Sequence, residues 1–371
     1  MMRKTLVAAS RERLRRLQRC LRRKRLAAYL ATAQAEVTYL SNFRGEDSYL
    51  VVPARGRATL VTDFRYAQDA AAECPHLRRV LRRDSLVAEA VRSLRRRRRP
   101  LGFNPAVLPV SVRRQLSRLL GAGGLRQLPE VVSRMRAVKD AAEVAAIERA
   151  LRIAERAYAD FLKRLRPGMT ESRLVAELEY ALRCHGSEGS AFATICAVGP
   201  SAARPHARPG ARRLTAAAPL LVDFGAVADG YRCDLTRMIF LARIRPEVER
   251  AYRAVLEAQA AAIAAAGPGA RAVDVDAAAR SVLERCGYGK AFGHGTGHGL
   301  GLETHEAPSV SPKAGALALR PGMIITIEPG IYLPGKFGIR IEDDVLITGK
   351  GRRVLSRLRK QVDEVRLPAR R

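Results

Sequence analysis

The feature that most limits how this 371-residue chain can fold is an internal repeat. Residues 166–186, RPGMTESRLVAELEYALRCHG, align without a gap on residues 267–287, GPGARAVDVDAAARSVLERCG. Pro167 and Gly168 fall on Pro268 and Gly269, Ala176 on Ala277, Leu182 on Leu283, and Gly186 on Gly287. Each copy follows a long alanine-rich helical pattern, at about 142–165 and 246–266, and each is followed by strand-like runs. A segment that recurs in this way marks one supersecondary unit used twice. The expected class is therefore α+β, with a pseudo-two-fold domain in which helices cover a curved antiparallel sheet. Sites in such domains often lie where the halves meet.

Upstream of the repeat the texture differs. LAAYLAT, VTYLSNF, SYLVVPA and ATLVTDF, between residues 26 and 66, are short apolar runs broken by Gly, Asn, Asp and Pro, a pattern that predicts strands. Helical patterns follow at 86–97 and 110–120, giving an amino-terminal α/β domain. The stretch GAGGLRQLPEVVSRMRAVKD runs from a glycine-rich turn into a charged lead. It places a boundary at 130 and domains at 1–130 and 131–371.

Composition excludes more than it identifies. Hydrophobic residues make up 47% and charged residues 28%, as in ordinary globular chains. No apolar run approaches the roughly 18 residues of a membrane span. The basic start MMRKTLVAAS has too short an apolar stretch for a signal sequence, so a cytoplasmic protein without membrane partners is expected. Six cysteines are scattered without a CxxC, which points to reduced thiols, mostly buried. The charge is unusual: 67 Lys+Arg against 36 Asp+Glu gives +31, a field that attracts polyanions. Arg15 to Arg25 and the run Arg95 to Arg99 are the places where nucleic acid could bind. Basic residues nevertheless occur in every segment, aromatics are only 5% and Trp is absent, so a solvated arginine-biased surface with non-specific charge is the better account.

Three segments carry candidate chemistry. In LLVDFGAVADGYRCDLTRMIF, residues 220–240, Asp229-Gly230 is a strong hairpin signal. A type I′ turn there sets Asp223 opposite Thr236 and Gly225 opposite Asp234, leaving the two aspartates as diagonal neighbours on one face, within reach of a shared ion. In AFGHGTGHGLGLETHEAP, residues 291–308, His294, His298 and His305 make up half of the histidines of the chain, on glycine-rich backbone that permits close approach. MIITIEPGIYLPGKFGIRIEDDVLIT, residues 323–348, predicts a second hairpin, with Glu328 near the end of its first run and Glu342 in its second, two residues beyond Arg340 on the same face. Glutamate is out of place in an apolar strand, so each carboxylate implies a partner. Oxygen-rich ligation with a single nitrogen suits manganese, iron or cobalt, and four negative charges match two divalent cations.

These motifs resemble the pita-bread metallopeptidases: methionine aminopeptidase, aminopeptidase P and prolidase, with creatinase as a metal-free relative. VDFG, CDLTR, GTGHGLGLE, IEPGIY and RIEDD match the family in order and context. TYLSNFRGEDSYLVV looks like the creatinase-type amino-terminal domain. The resemblance implies that Asp223, Asp234, His298, Glu328 and Glu342 hold two divalent ions, with manganese expected and cobalt, iron or zinc as alternatives. It implies a homodimer, and cleavage of proline-containing peptides at an Xaa-Pro bond. His206 in SAARPHARPG, His305 in ETHEAP and Arg340 in IRIED match the Xaa-Pro branch, and His294 matches a histidine of aminopeptidase P. Glu328 is then the general base, and His305 with His206 serves catalysis; His206, His294, His305 and Arg340 line the substrate site. One position departs. Prolidases tend to carry an arginine for the dipeptide carboxylate where this chain has Ser309, which favours an aminopeptidase over a strict dipeptidase. The alternative is a non-catalytic pita-bread protein that associates with nucleic acid or ribosomes through its basic surface. Such relatives generally lose ligands, and all five are present here.

Overall fold

The structure, a computed structural model, describes residues 2–94 and 100–367. The arginine run Arg95 to Arg99 lies outside the described residues. The chain divides into two compact units, Met1–Arg136 and Ala137–Arg371.

The first unit is built on a six-stranded mixed sheet. Its central strand Ala28–Ala31 pairs antiparallel with Ser48–Pro53 and parallel with Leu101–Phe103. The helix Met2–Arg23 was not foreseen from the sequence. Its apolar stripe of Leu14, Leu17 and Leu21 recurs at helical spacing and is buried, while Arg11, Arg15, Arg16, Arg19, Arg22 and Arg23 form its exposed face. VTYLSNF also departs from expectation: Gln34–Ser41 is a helix, closed by Asn42 at a left-handed φ of 66°. A short run buried on every side has no periodicity that separates strand from helix. Tertiary contacts decide here, since Tyr29 OH and Asn104 Nδ2 donate to the two oxygens of Glu36 at 2.9 and 2.8 Å.

In the second unit the repeat is a repeat of structure. The helix Ala141–Arg164 leads into Glu171–Cys184, and Pro246–Ala265 leads into Ala272–Arg285. Gly168 and Gly269 both have φ of 85°, a left-handed value that favours glycine. Their N–H groups donate to Leu214 O and Leu319 O, each at 2.8 Å. Each helix pair covers its own sheet. One sheet joins Ile195–Val198, Leu220–Phe224 and Leu235–Leu241, with Arg366–Leu367 added parallel at the edge. The other joins Glu306–Val310, Gly297–Gly299, Ile324–Ile327, Asp343–Thr348 and Gly351–Val354, all antiparallel. An apolar core joins residues of both sheets to the second helix pair, and in it small side chains such as Ala251, Ala258 and Ala262 let the helix Pro246–Ala265 lie close to the strands. Among the described residues, no helix is long and apolar enough to cross a membrane. Of the free cysteines, Cys74, Cys196 and Cys233 are buried and Cys184 and Cys286 exposed.

Candidate metal centre

Each half of the second unit contributes one hairpin, and each hairpin opens at a pair of acids. In the first, Asp229 and Gly230 have φ of 52° and 78°, as a type I′ turn requires. The register is the expected one, with Asp223 opposite Thr236 and Ala228 opposite Tyr231. The sheet strands end at Phe224 and resume at Leu235, so Asp223 and Asp234 flank the gap between sheet and hairpin tip. A side chain at Gly225 would collide with the Cys233 carbonyl that crosses this gap.

The second hairpin is present where the sequence places it, and its two strands part at Glu328 and Glu342. Ile324–Ile327 pairs with Asp343–Thr348, and Gly330–Leu333 pairs with Phe337–Arg340, in one unbroken register that leaves Glu328 facing Glu342 across the opening. The reason lies in the backbone. Glu328 N–H donates to Thr296 O at 2.8 Å, and Glu342 N–H donates to Thr236 O at 3.2 Å, so both residues leave their own ladder for neighbouring strands. Pro329, lacking an N–H, cannot rejoin it at once.

His298 comes from the glycine-rich strand. A side chain at Gly297 would overlap the Thr326 carbonyl, and one at Gly299 the Ala307 carbonyl, so only glycine on both sides lets this strand press between its neighbours. His298 Nδ1 donates to Gly299 O at 3.1 Å, which aims Nε2 at the acids. Nε2 lies 3.3 Å from Glu328 Oε1 and 3.8 Å from Asp234 Oδ2. Ligand atoms of Asp234, His298 and Glu342 all fall within 4.8 Å of one another.

The electrostatics is that of a site short of positive charge. Burial, then the neighbouring acids, pushes the carboxyls of Asp234 and Glu342 well above their ordinary range. Burial also raises Asp223, against the pull of Arg340. Glu328 goes the other way: burial would raise it, but the hydrogen bond and charge of His298 prevail and lower it. Asp223 Oδ1 and Glu342 Oε1 are buried without any hydrogen-bond partner. Orphaned carboxylate oxygens and an imidazole nitrogen aimed into the same cluster are the donor set that divalent cations require, and the residues present fit such a group.

All nine candidate residues line one cavity of about 740 Å³. His206 is exposed on its rim, and the ring of His305 lies against that of His298, tilted by 51° with centroids 4.2 Å apart. Arg340 and His294 line the cavity and also carry hydrogen bonds within the protein. Arg340 Nε donates to Thr236 Oγ1 at 3.0 Å, Nη1 to Tyr332 OH at 2.8 Å, and Nη2 to Asp223. His294 Nδ1 donates to Gly295 O at 2.8 Å, and its Nε2 accepts from Tyr332 OH at 2.9 Å. Sequence reasoning missed Tyr332 as the joint of this chain, and Thr236, whose hydroxyl donates to Glu342 Oε2 at 2.6 Å. Both stood inside motifs already singled out, but neither residue type signals by itself which partner it meets.

Residues 145–349 match metallopeptidase family M24, and residues 13–138 match the creatinase/prolidase N-terminal domain. The uncharacterized peptidase YqhT of Bacillus subtilis is 33% identical over 90% of this chain and 94% of its own. Among solved structures, the Xaa-Pro dipeptidase from Bacillus anthracis superposes with a TM-score of 0.90 at 30% identity, covering 96% of this chain and all of that one. The X-Pro aminopeptidase from Thermotoga maritima gives 0.85 at 33% identity, covering 92% and 97%.

Proposed function

The chain belongs to metallopeptidase family M24, and on that premise we propose that it cleaves the peptide bond between an amino-terminal residue and a following proline. It is a hydrolase of the peptidase class. The observation that carries the substrate reading is the presence of His206 and His305 in the cavity that Asp223, Asp234, His298, Glu328 and Glu342 line. Asp223 would hold one ion and His298 the other, with Glu328 beside His298 and with Asp234 and Glu342 shared. Bound there, two divalent ions supply Lewis-acid activation of water and of the scissile carbonyl. Manganese suits the oxygen-rich donors best.

The residues of the chain do the rest. Glu328, held as a carboxylate by His298, accepts the proton of the attacking water. His305, whose pKa burial and the nearby His298 lower, meets the substrate as a neutral ring and with His206 orients the carbonyl and its developing negative charge. Arg340, through Asp223, Thr236 and Tyr332, keeps the acids in place. The binding-only alternative is not favoured, because the full donor set is retained.

Substrate length depends on what meets the group after proline. Ser309 lies opposite His298 in the sheet, lines the cavity and shares a hydrogen bond with Ser311 at 3.0 Å; it offers no charge to a carboxylate. This favours Xaa-Pro-Yaa and longer peptides. One observation favours dipeptides: Arg208 also lines the cavity, and among the described residues it has no acidic partner. Elemental analysis of the reconstituted protein, with turnover of Xaa-Pro peptides, tests the function. Two ions per chain and stimulation by manganese or cobalt are expected; no bound metal and no stimulation would reject it.

A further inference from the structure

The acids at the opening of the second hairpin are gripped from outside the cavity. Successive residues of extended chain point to opposite faces, so Arg237 and Asp343, next to Thr236 and Glu342, point away from the cavity they border. They meet there, with Arg237 Nη2 donating to Asp343 Oδ1 at 2.7 Å and each side chain only 1% exposed. Arg237 Nη1 also donates to the Glu342 carbonyl. Gln259, fully buried on the helix Pro246–Ala265, donates through Nε2 to Asp343 Oδ2 and to the Ile327 carbonyl, each at 3.2 Å. Lys360 completes the cluster: its Nζ donates to Gln259 Oε1 at 2.8 Å and to Asp343 Oδ2. The segment that carries Lys360 is tied down on both sides, by Arg237 Nη2 to Leu358 O at 2.9 Å and by Tyr252 OH to Lys360 O at 2.6 Å.

The two carbonyls held in this way are not arbitrary. Ile327 immediately precedes Glu328, and Glu342 is itself the facing acid. At these points the hairpin has given up its own ladder, so its strands no longer set the spacing of the two carboxylates. Arg237 and Gln259 hold that spacing, and Lys360 orients Gln259.

We propose that Arg237, Gln259, Asp343 and Lys360 form the positioning element of the metal centre, and that Lys360, near the carboxyl terminus, sets metal affinity without touching metal. The proposal rests on the assignment of Glu328 and Glu342 as ligands. Groups that orient ligands from behind typically change affinity by about 10–100-fold when removed.

The test is manganese affinity of the full-length, metal-stripped protein, measured by calorimetry. Lys360→Met should weaken binding by about tenfold or more, and Lys360→Arg should recover most of it. A purely structural role would lower the melting temperature of Lys360→Met and leave its affinity unchanged; affinity within about twofold of wild type therefore overturns the proposal. Hydrogen exchange on the unaltered protein makes the test independent of how any variant folds. By linkage, manganese should slow amide exchange across residues 355–362, and identical exchange with and without metal overturns the proposal equally. Wild type that binds no manganese would refute the peptidase reading and this inference together. Wild type that binds while Lys360→Met binds equally well refutes the inference alone.

Discussion

Glu342→Gln should make the metal-free protein more stable near neutral pH while removing its capacity for metal. Glu342 is 2% exposed, and burial followed by the charges of Glu328 and Asp223 raises its pKa well above the ordinary carboxylate range. A carboxyl with a raised folded-state pKa holds its proton more tightly in the folded chain. Its contribution to stability is fully present below the unfolded pKa of about 4.3 and is lost as pH rises towards the folded-state value. Inside that window each pH unit costs about 1.4 kcal/mol for the group. For a unit of this size that is roughly 3–6 °C in Tm per pH unit. Glutamine is neutral throughout, nearly the same shape, and its amide oxygen can accept the hydrogen bond that Thr236 Oγ1 now gives Glu342 Oε2 at 2.6 Å. Asp234, raised first by burial and next by the charge of Glu342, loses that second push in the variant, which adds to the gain near neutral pH. Calorimetric melting of chelator-treated samples should find the variant close to wild type at about pH 5 and several degrees more stable at about pH 7.5. Metal at 100 times Kd should add about 2.7 kcal/mol per site to wild type and little to the variant. A metal-free variant with the same pH slope as wild type would show that Glu342 ionises without penalty, and the electrostatic account of the site would be wrong.

The remaining expectations concern turnover. Glu328→Gln should lower kcat by about 100-fold or more, since an amide accepts no proton; a near wild-type rate at full metal occupancy would remove Glu328 from its role. His206→Ala and His305→Ala should keep both metals by elemental analysis and lower kcat/KM. A variant that sheds a metal would put that histidine among the ligands. Arg208→Gln, assayed on an Xaa-Pro dipeptide and its one-residue extension, decides substrate length. A loss of about tenfold, or 1.4 kcal/mol, confined to the dipeptide would identify Arg208 as a carboxylate clamp, whereas equal effects on both would leave longer peptides as the substrates.

Much of the site was legible because its determinants are local. The Asp229-Gly230 turn dictated its own register, and that register put Asp223 opposite Thr236 before any tertiary contact was considered. The repeat announced two helix pairs, and their boundaries, Glu171–Cys184 and Ala272–Arg285, fall at matching positions of the two copies. Glycines around His298 advertised a close approach, and the neighbours they admit are backbone carbonyls. Resemblance to a family then named the five donors that spacing alone left open among several acids and histidines.

Other features were decided only by the tertiary structure. Gln34–Ser41 is a helix because Tyr29 and Asn104 receive Glu36, and a buried run carries no period of its own to say so. The second hairpin is placed by the sequence, but its opening at Glu328 and Glu342 is not, because Thr296 and Thr236, from other strands, offer their carbonyls to it. Arg340 stood out in its motif, but the sequence did not show that its three nitrogens also bond Thr236, Tyr332 and Asp223. Lys360 carried no signal at all, because its partners Gln259 and Asp343 are distant in the chain. The division has one physical cause. Turn type, helix start and strand alternation are set by backbone preferences over a few residues and are written where they act. The pairing of a buried charge is set by whichever group packing delivers, and in a domain made of two joined halves that group belongs to another element.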